Sequence, residues 1–219
     1  MNLTLKESLV TRSRVFSPWT AFYFLQSLLI NLGLGYPFSL LYTAAFTAIL
    51  LLLWRTLPRV QKVLVGISSL VAACYFPFAQ AYGAPNFNTL LALHSTNMEE
   101  STEILTIFPW YSYMVGIFIF VLGVIAIRRK KESEKARWNT FDSLCLVFSV
   151  ATFFVAPVQN LAWGGVFKLK DTGYPVFRFA KDVIVNNNEV IEEQERMAKL
   201  SGMKDTWTVT AVKPKYQTY

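Results

Sequence analysis

Long apolar stretches without charged residues are the dominant pattern of this chain. No Asp, Glu, Lys or Arg occurs in residues 15–54, 63–98, 104–127 or 143–167. A bilayer core about 30 Å thick requires roughly 20 apolar residues in a spanning helix. The first interval is long enough for two such helices, and each of the others for one. Because lipid offers no partner for unpaired backbone groups, the pattern predicts an all-α membrane protein with five transmembrane helices.

The predicted spans lie near Val15–Leu34, Phe38–Trp54, Val63–Tyr82, Ile107–Ile127 and Ser143–Trp163. The first two meet at the glycines and proline of residues 33–37, where a tight reversal is expected. Composition agrees with this interpretation, since the 219 residues are 53% hydrophobic and only 16% charged. Such a balance excludes a disordered chain, a coiled coil and a disulfide scaffold.

Basic residues predict the orientation. Three of the polar segments that flank the spans contain twelve Lys and Arg residues, which are Lys6, Arg12, Arg14, Arg55, Arg59, Lys62, Arg128, Arg129, Lys130, Lys131, Lys135 and Arg137. The first and third connections contain none. Since basic connections stay in the cytoplasm, the N-terminus is predicted to be cytoplasmic and the C-terminus to lie on the opposite side. Topology explains most of the basic charge, so no nucleic-acid partner is expected.

The connection between the third and fourth predicted spans is the longest. Its apolar positions predict a helix in the membrane interface, and they are Phe87, Leu90, Leu91 and Leu93. Residues 96–99 then fit a capping box that would begin a second helix. On that helix Thr96 and Glu100 are four residues apart and share a face. An acidic cluster with nearby hydroxyl and amide groups could hold a zwitterionic headgroup, or the glutamates could only favour the helix N-terminus.

The segment after the last span differs in composition. Residues 1–165 form the predicted five-span domain, residues 166–204 a bridging helix or linker, and residues 205–219 the first strand of a further domain. Asn186–Asn188 is a predicted interruption of the bridging helix. The alternating pattern of Trp207–Val212 is typical of a strand that cannot form a sheet alone. The chain is therefore expected to include the start of a truncated α/β domain.

Known catalytic and metal-binding motifs are missing from the sequence. His94 is the only histidine, and the two cysteines, Cys74 and Cys145, lie within predicted spans. We therefore predict no catalytic residue and no metal site in this chain. No ionisable residue lies in the middle of a span, which disfavours an ion-driven transporter.

Particular residues carry a family resemblance. They are Tyr82-Gly83, Thr96 with Glu100, the opening residues 1–7 and the tail from Gly173-Tyr-Pro to Tyr219. On these the chain resembles the N-terminal membrane domain of bacterial inner-membrane phosphoethanolamine transferases, a sulfatase-like family. It is most similar to the family member that acts on osmoregulated periplasmic glucans.

The resemblance implies a function and a site. Phosphatidylethanolamine would be the donor, and its headgroup would pass through a threonine beside zinc, in a catalytic domain that this chain lacks, to a periplasmic glycan or lipid acceptor. Glu100 would face the ammonium group and Thr96 the phosphate. Relatives have an Asn one turn before the Thr, where this chain has Ala92, so Asn88 or Asn86 is expected to substitute. The implied location is the bacterial inner membrane, with a multi-pass chain and a periplasmic C-terminus.

One alternative stays open at this stage. The same spans and outer helices would suit a non-enzymatic inner-membrane subunit or anchor that binds a partner protein. A groove leading to Thr96 and Glu100 would favour lipid handling, whereas side chains used only as helix caps would favour the anchor.

Overall fold

The computed structural model describes residues 18–95, 106–129, 140–163 and 172–202. The helices within them are α1 (Pro18–Gly33), α2 (Leu40–Thr56), α3 (Pro58–Tyr82), α4 (Phe87–Ser95), α5 (Trp110–Arg128), α6 (Thr140–Ala162) and α7 (Pro175–Gly202). These residues contain no strand, so the prediction of an all-α chain is confirmed for them. The predicted strand at residues 205–219 lies outside the described ranges.

The number of helices able to cross a membrane is three among the described residues, not the predicted five. By length and apolar composition α3, α5 and α6 qualify. Helix α1 has 16 residues and α2 has 17, which makes each about 25 Å long at 1.5 Å per residue and shorter than the bilayer core. The prediction was too high because the uncharged residues 15–54 are only just long enough for two spans of about 20 residues, and the turn between them leaves fewer residues for each helix.

The helices run in alternating directions between two ends of a bundle. One end, here called the basic end, contains Arg55, Arg59, Lys62, Arg128 and Arg129. The other, here called the α4 end, contains the turn at residues 34–39, helix α4 and part of α7. Helix α3 packs along α5, α2 packs along α6, and α1 contacts α2, α3 and α5.

Two arginines hold the basic end together. Arg129 Cζ lies 3.6 Å from the centre of the Trp54 ring and 4.1 Å from that of Trp19, so the guanidinium is held between the ends of α1 and α2. Arg55 at the end of α2 pairs with the buried Asp142 at the start of α6. Trp19 and Trp54 thus join helices through cation–π contacts with Arg129.

Polar side chains pair inside the bundle. Gln26 donates to Ser69 at 3.1 Å and Asn31 donates to Thr43 at 3.0 Å. Two further bonds join Thr47 to Ser27 and Gln61 to Tyr23. These bonds connect α1 to α2 and α3, because a polar group without a partner would be costly in an apolar interior.

Helix α3 contains Pro77, and α5 approaches its backbone closely there. Proline has no N–H to donate to the carbonyl four residues earlier, which is that of Ala73. Gly116 of α5 packs against this carbonyl: a Cβ at position 116 would lie 2.6 Å from the Ala73 oxygen. Glycine is therefore required for the α3–α5 contact in its present form.

Helix α7 is continuous, and the predicted interruption at Asn186–Asn188 was wrong. The amide of Asn186 donates to the Asp182 carbonyl at 2.6 Å and to the Pro85 carbonyl at 3.4 Å. Asn187 is bonded to His94. The side-chain amides of Asn186 and Asn187 thus bond to the segment before α4 and to α4 itself. Because they are used in these contacts, they do not compete with the helix by favouring a turn.

Candidate functional site

Helix α4 begins with a side-chain cap at Asn86. Its Oδ1 accepts from the Thr89 backbone N–H at 3.0 Å and from the Thr89 hydroxyl at 3.1 Å. An Asn at this position satisfies a donor that the first turn of a helix leaves unpaired. The structure thus shows Asn86, one of the predicted headgroup residues, in a capping role.

The other predicted headgroup residues lie farther along the chain. Asn88 is exposed on α4, and Ala92 is exposed one turn later. Thr96 and Glu100 fall outside the described residues; α4 ends one residue before Thr96, at Ser95. Asn88 and Ala92 therefore share a solvent-facing side of α4, and the predicted helix with Thr96 and Glu100 would follow it.

Helix α7 holds α4 in place. His94 Nε2 lies 2.8 Å from Asn187 Oδ1, an acceptor, so the imidazole donates to the amide. His94 is exposed and links the two helices. The Pro85 carbonyl accepts from Asn186, which fixes the chain just before α4. The segment leading to Thr96 is thus attached to α7 at both ends of α4.

A polar cluster joins α7 to the first turn of the bundle. Tyr36 donates to Asp182 Oδ2 at 2.8 Å, and Arg178 Nε lies 3.6 Å from the same oxygen. The Arg178 guanidinium also lies 5.0 Å from the centre of the Tyr36 ring. Burial, with the Asp182 carboxylate beside it, raises the pKa of the Tyr36 hydroxyl. The hydroxyl therefore stays protonated and donates throughout the physiological pH range.

Two glycines bring the turn at residues 34–39 against the end of α3. Gly35 and Gly83 have φ angles of 80° and 71°, a region that favours glycine. A Cβ on Gly35 would lie 2.4 Å from the Gly83 carbonyl group. This contact positions the start of the connection that contains α4.

A groove of about 560 Å³ separates α4 from the second half of α7. Its lining residues are Phe87, Leu91, Glu193, Gln194, Arg196 and Met197. The lining combines apolar side chains with an exposed ion pair between Arg196 and Glu193. The groove lies beside α4, and Thr96 and Glu100 fall outside the residues that the structure describes.

The sequence pattern did not predict the residues of α7 that bond to the rest of the α4 end. Tyr36 and Asp182 are 146 residues apart, and His94 and Asn187 are 93 apart. No local pattern links positions at such separations. The one available signal was the run of three asparagines, which was interpreted as a break in the helix.

The described residues do not fit a metal site. In those ranges no group of three or more His, Cys, Asp or Glu side chains lies close enough to hold an ion. Zinc, which the resemblance implies for a catalytic domain, therefore has no candidate ligand set in the part of the chain that the structure describes.

Comparison with known proteins supports the resemblance seen in the sequence. The chain is 98% identical, over all 219 residues, to the phosphoethanolamine transferase OpgE of Escherichia coli (strain K12). It spans 42% of the length of that relative. No protein-family model and no solved structure matches the chain. The predicted resemblance to a phosphoethanolamine transferase is thus confirmed.

Proposed function

We propose that this chain is the membrane domain of a phosphoethanolamine transferase and presents the donor lipid to a catalytic domain. The observation that carries the proposal is its 98% identity, along its whole length, to a phosphoethanolamine transferase. Three helices able to cross a membrane support the anchoring role. The relative is longer than this chain, which supports placing the transfer chemistry and the zinc in the remaining part.

The proposed orientation puts the basic end in the cytoplasm and the α4 end in the periplasm. Basic residues gathered at one end of the bundle support it, since such residues stay on the cytoplasmic side. Helix α4, helix α7 and the C-terminal segment then all face the periplasm. A donor in the outer leaflet of the inner membrane would be within their reach.

The proposed donor site comprises Thr96 and Glu100, with Asn88 as an additional contact. The Glu100 carboxylate would pair with the ammonium group of phosphatidylethanolamine, and the Thr96 hydroxyl would donate to its phosphate. Near the apolar layer such a pair is stronger than in bulk water, because the local dielectric constant is lower. Exposure of Asn88 supports its inclusion, whereas the capping role of Asn86 favours a structural part for that residue.

The acceptor in this proposal is a periplasmic glycan of the osmoregulated glucan class. This choice rests on the resemblance at both ends of the chain. The chain by itself is proposed to be inactive, because it lacks a metal-ligand set in its described residues and a nucleophile motif in its sequence.

Substitution of Glu100 tests the donor site. In the full-length protein, Glu100→Ala should lower phosphoethanolamine transfer by about ten- to hundredfold, the effect of losing one charged hydrogen bond. The assay follows radiolabelled headgroup from phosphatidylethanolamine to the glucan fraction, with membrane insertion checked by fractionation. Glu195→Ala, on the exposed side of α7, is the matched control and should leave transfer unchanged. Equal activity of both variants would remove Glu100 from the site.

A further inference from the structure

Helix α7 has an apolar stripe that no described residue covers. Phe177, Ile184 and Ile191 are 47%, 61% and 41% exposed. Their seven-residue spacing places them along one side of the helix, with only a slow drift around its axis. From Phe177 to Ile191 the stripe extends over 14 steps of 1.5 Å, or about 21 Å of helix.

The stripe is distinct from the face that packs on the bundle. Val190 is fully buried, and Val176 and Phe179 pack against the hydrophobic core. The charged residues lie on a third side of the helix, and they include Lys181, Glu189, Glu192, Arg196 and Lys199. Helix α7 thus has one face for protein, one for water and one apolar face between them.

A chain of aromatic rings connects the stripe to the lipid-facing surface of a candidate span. Phe154 of α6 is 39% exposed and contacts Phe153. Phe153 contacts Tyr174, and Tyr174 contacts Phe177 at the start of the stripe. Tyr174 also donates to the Ser149 carbonyl of α6 at 2.8 Å. Tyr174 is buried and Phe153 is partly buried, so these contacts join the exposed Phe154 and Phe177 through the interior and place the start of the stripe beside a candidate membrane-crossing helix.

We propose that α7 lies against the membrane at the α4 end, with Phe177, Ile184 and Ile191 inserted into the boundary between headgroups and acyl chains. The exposed Phe154 of α6, beside the start of the stripe, favours lipid over a protein as the occupant. An amphipathic helix of this kind is bound by the burial of apolar side chains while its charged side stays in water. The proposal requires only that α6 crosses the membrane, and it is independent of the proposed transferase activity.

Spin labels test this arrangement in the full-length protein in nanodiscs. Cys74 and Cys145 are replaced by Ser, and one new cysteine is introduced at position 184 or 191. Glu189→Cys and Glu192→Cys are matched controls on the charged side of the same helix. Power saturation then compares collision with oxygen, which concentrates in lipid, and with a water-soluble nickel chelate. We expect several-fold higher ratios of oxygen to nickel accessibility at 184 and 191 than at the controls.

Two results would overturn the proposal. Nickel accessibility at 184 and 191 equal to that of the controls would place the stripe in water. Protection from both reagents would mean that a protein surface, either the rest of the chain or a second copy, covers it. Brominated lipids provide a second measurement that retains the native cysteines: Ile184→Trp should add quenchable fluorescence and Glu192→Trp should not.

Discussion

At the scale of single residues, glycine decides how closely two candidate spans approach. Gly116 packs against the Ala73 carbonyl, four residues before Pro77. The proline leaves that carbonyl without its usual helical donor, and the missing side chain at position 116 gives α5 room beside it. Pro77 on α3 and Gly116 on α5 thus together allow the two helices to pack closely at the Ala73 carbonyl.

Gly116→Ala is predicted to destabilise the bundle by about 1–3 kcal/mol, because its Cβ overlaps a backbone oxygen that cannot rotate away. Thermal unfolding of the purified protein in detergent measures the change. Gly66→Ala is the matched control, since its Cβ would meet only the end of the Ile127 side chain, at 3.1 Å. Equal melting temperatures for the two variants would contradict this account of the α3–α5 contact.

At the scale of helices, an ion pair joins α2 to α6 at the basic end. The side chains of Arg55 and Asp142 are 16% and 4% exposed, so both charges are largely removed from water. A buried charge that loses its partner is costly, whereas removal of both charges costs less.

Asp142→Asn is therefore predicted to lower the free energy of unfolding by about 3–5 kcal/mol. The double variant Arg55→Met with Asp142→Leu should be less destabilised than Asp142→Asn, as measured by denaturation in mixed micelles. Arg59→Met, at an exposed position of the same connection, is the control and should change little. A double variant that is destabilised as much as Asp142→Asn, or more, would show that the two residues do not act as a pair.

The attachment of α7 depends on Tyr36. Tyr36→Phe removes a hydrogen bond to a carboxylate and is predicted to weaken the attachment by about 1.5–3 kcal/mol. Hydrogen exchange of the α7 backbone should accelerate, while Tyr82→Phe, at a half-exposed position, should leave it unchanged. Because the folded pKa is raised above the ordinary value of 10.0, the contribution should be constant below pH 10 and fall above it. Unchanged exchange in Tyr36→Phe would assign the attachment to other contacts.

At the scale of the whole molecule, both the turn at residues 34–39 and the end of α3 lie at the α4 end. Reporter fusions after Pro37, Gly83 and Gly202 should therefore all report the periplasm, and a fusion after Leu57 the cytoplasm. Paired alkaline phosphatase and fluorescent protein fusions measure this. A cytoplasmic signal from position 202 would reverse the proposed orientation and place the donor site on the wrong leaflet.

The sequence predicted much of the fold because membrane helices follow from uncharged length, a local property. Helices α3, α5 and α6 were anticipated in this way, and helix α4 was anticipated from its apolar positions. The inference that α1 and α2 each cross the membrane was wrong, because the uncharged stretch of residues 15–54 is long enough for two spans only if no residues are set aside for the turn. The continuity of α7 was missed for a different reason: the asparagines that indicated a break are bonded to Pro85 and His94.

The candidate site was predicted only in part. The capping role of Asn86 is a local effect that the Asn-x-x-Thr spacing could have suggested. The contacts that hold α4 against α7 join residues far apart in the chain, where no pattern of apolar or charged positions indicates pairing. Thr96 and Glu100 remain predictions from the resemblance.

The bond between Tyr36 and Asp182 has a consequence for how the protein is made. Its two ends are separated by 146 residues, so the first hairpin leaves the ribosome long before its partner has been synthesised. Until then the Tyr36 hydroxyl lacks this acceptor. The addition of α7 is thus the step that completes the α4 end of the bundle, and it can take place only after Asp182 has been translated.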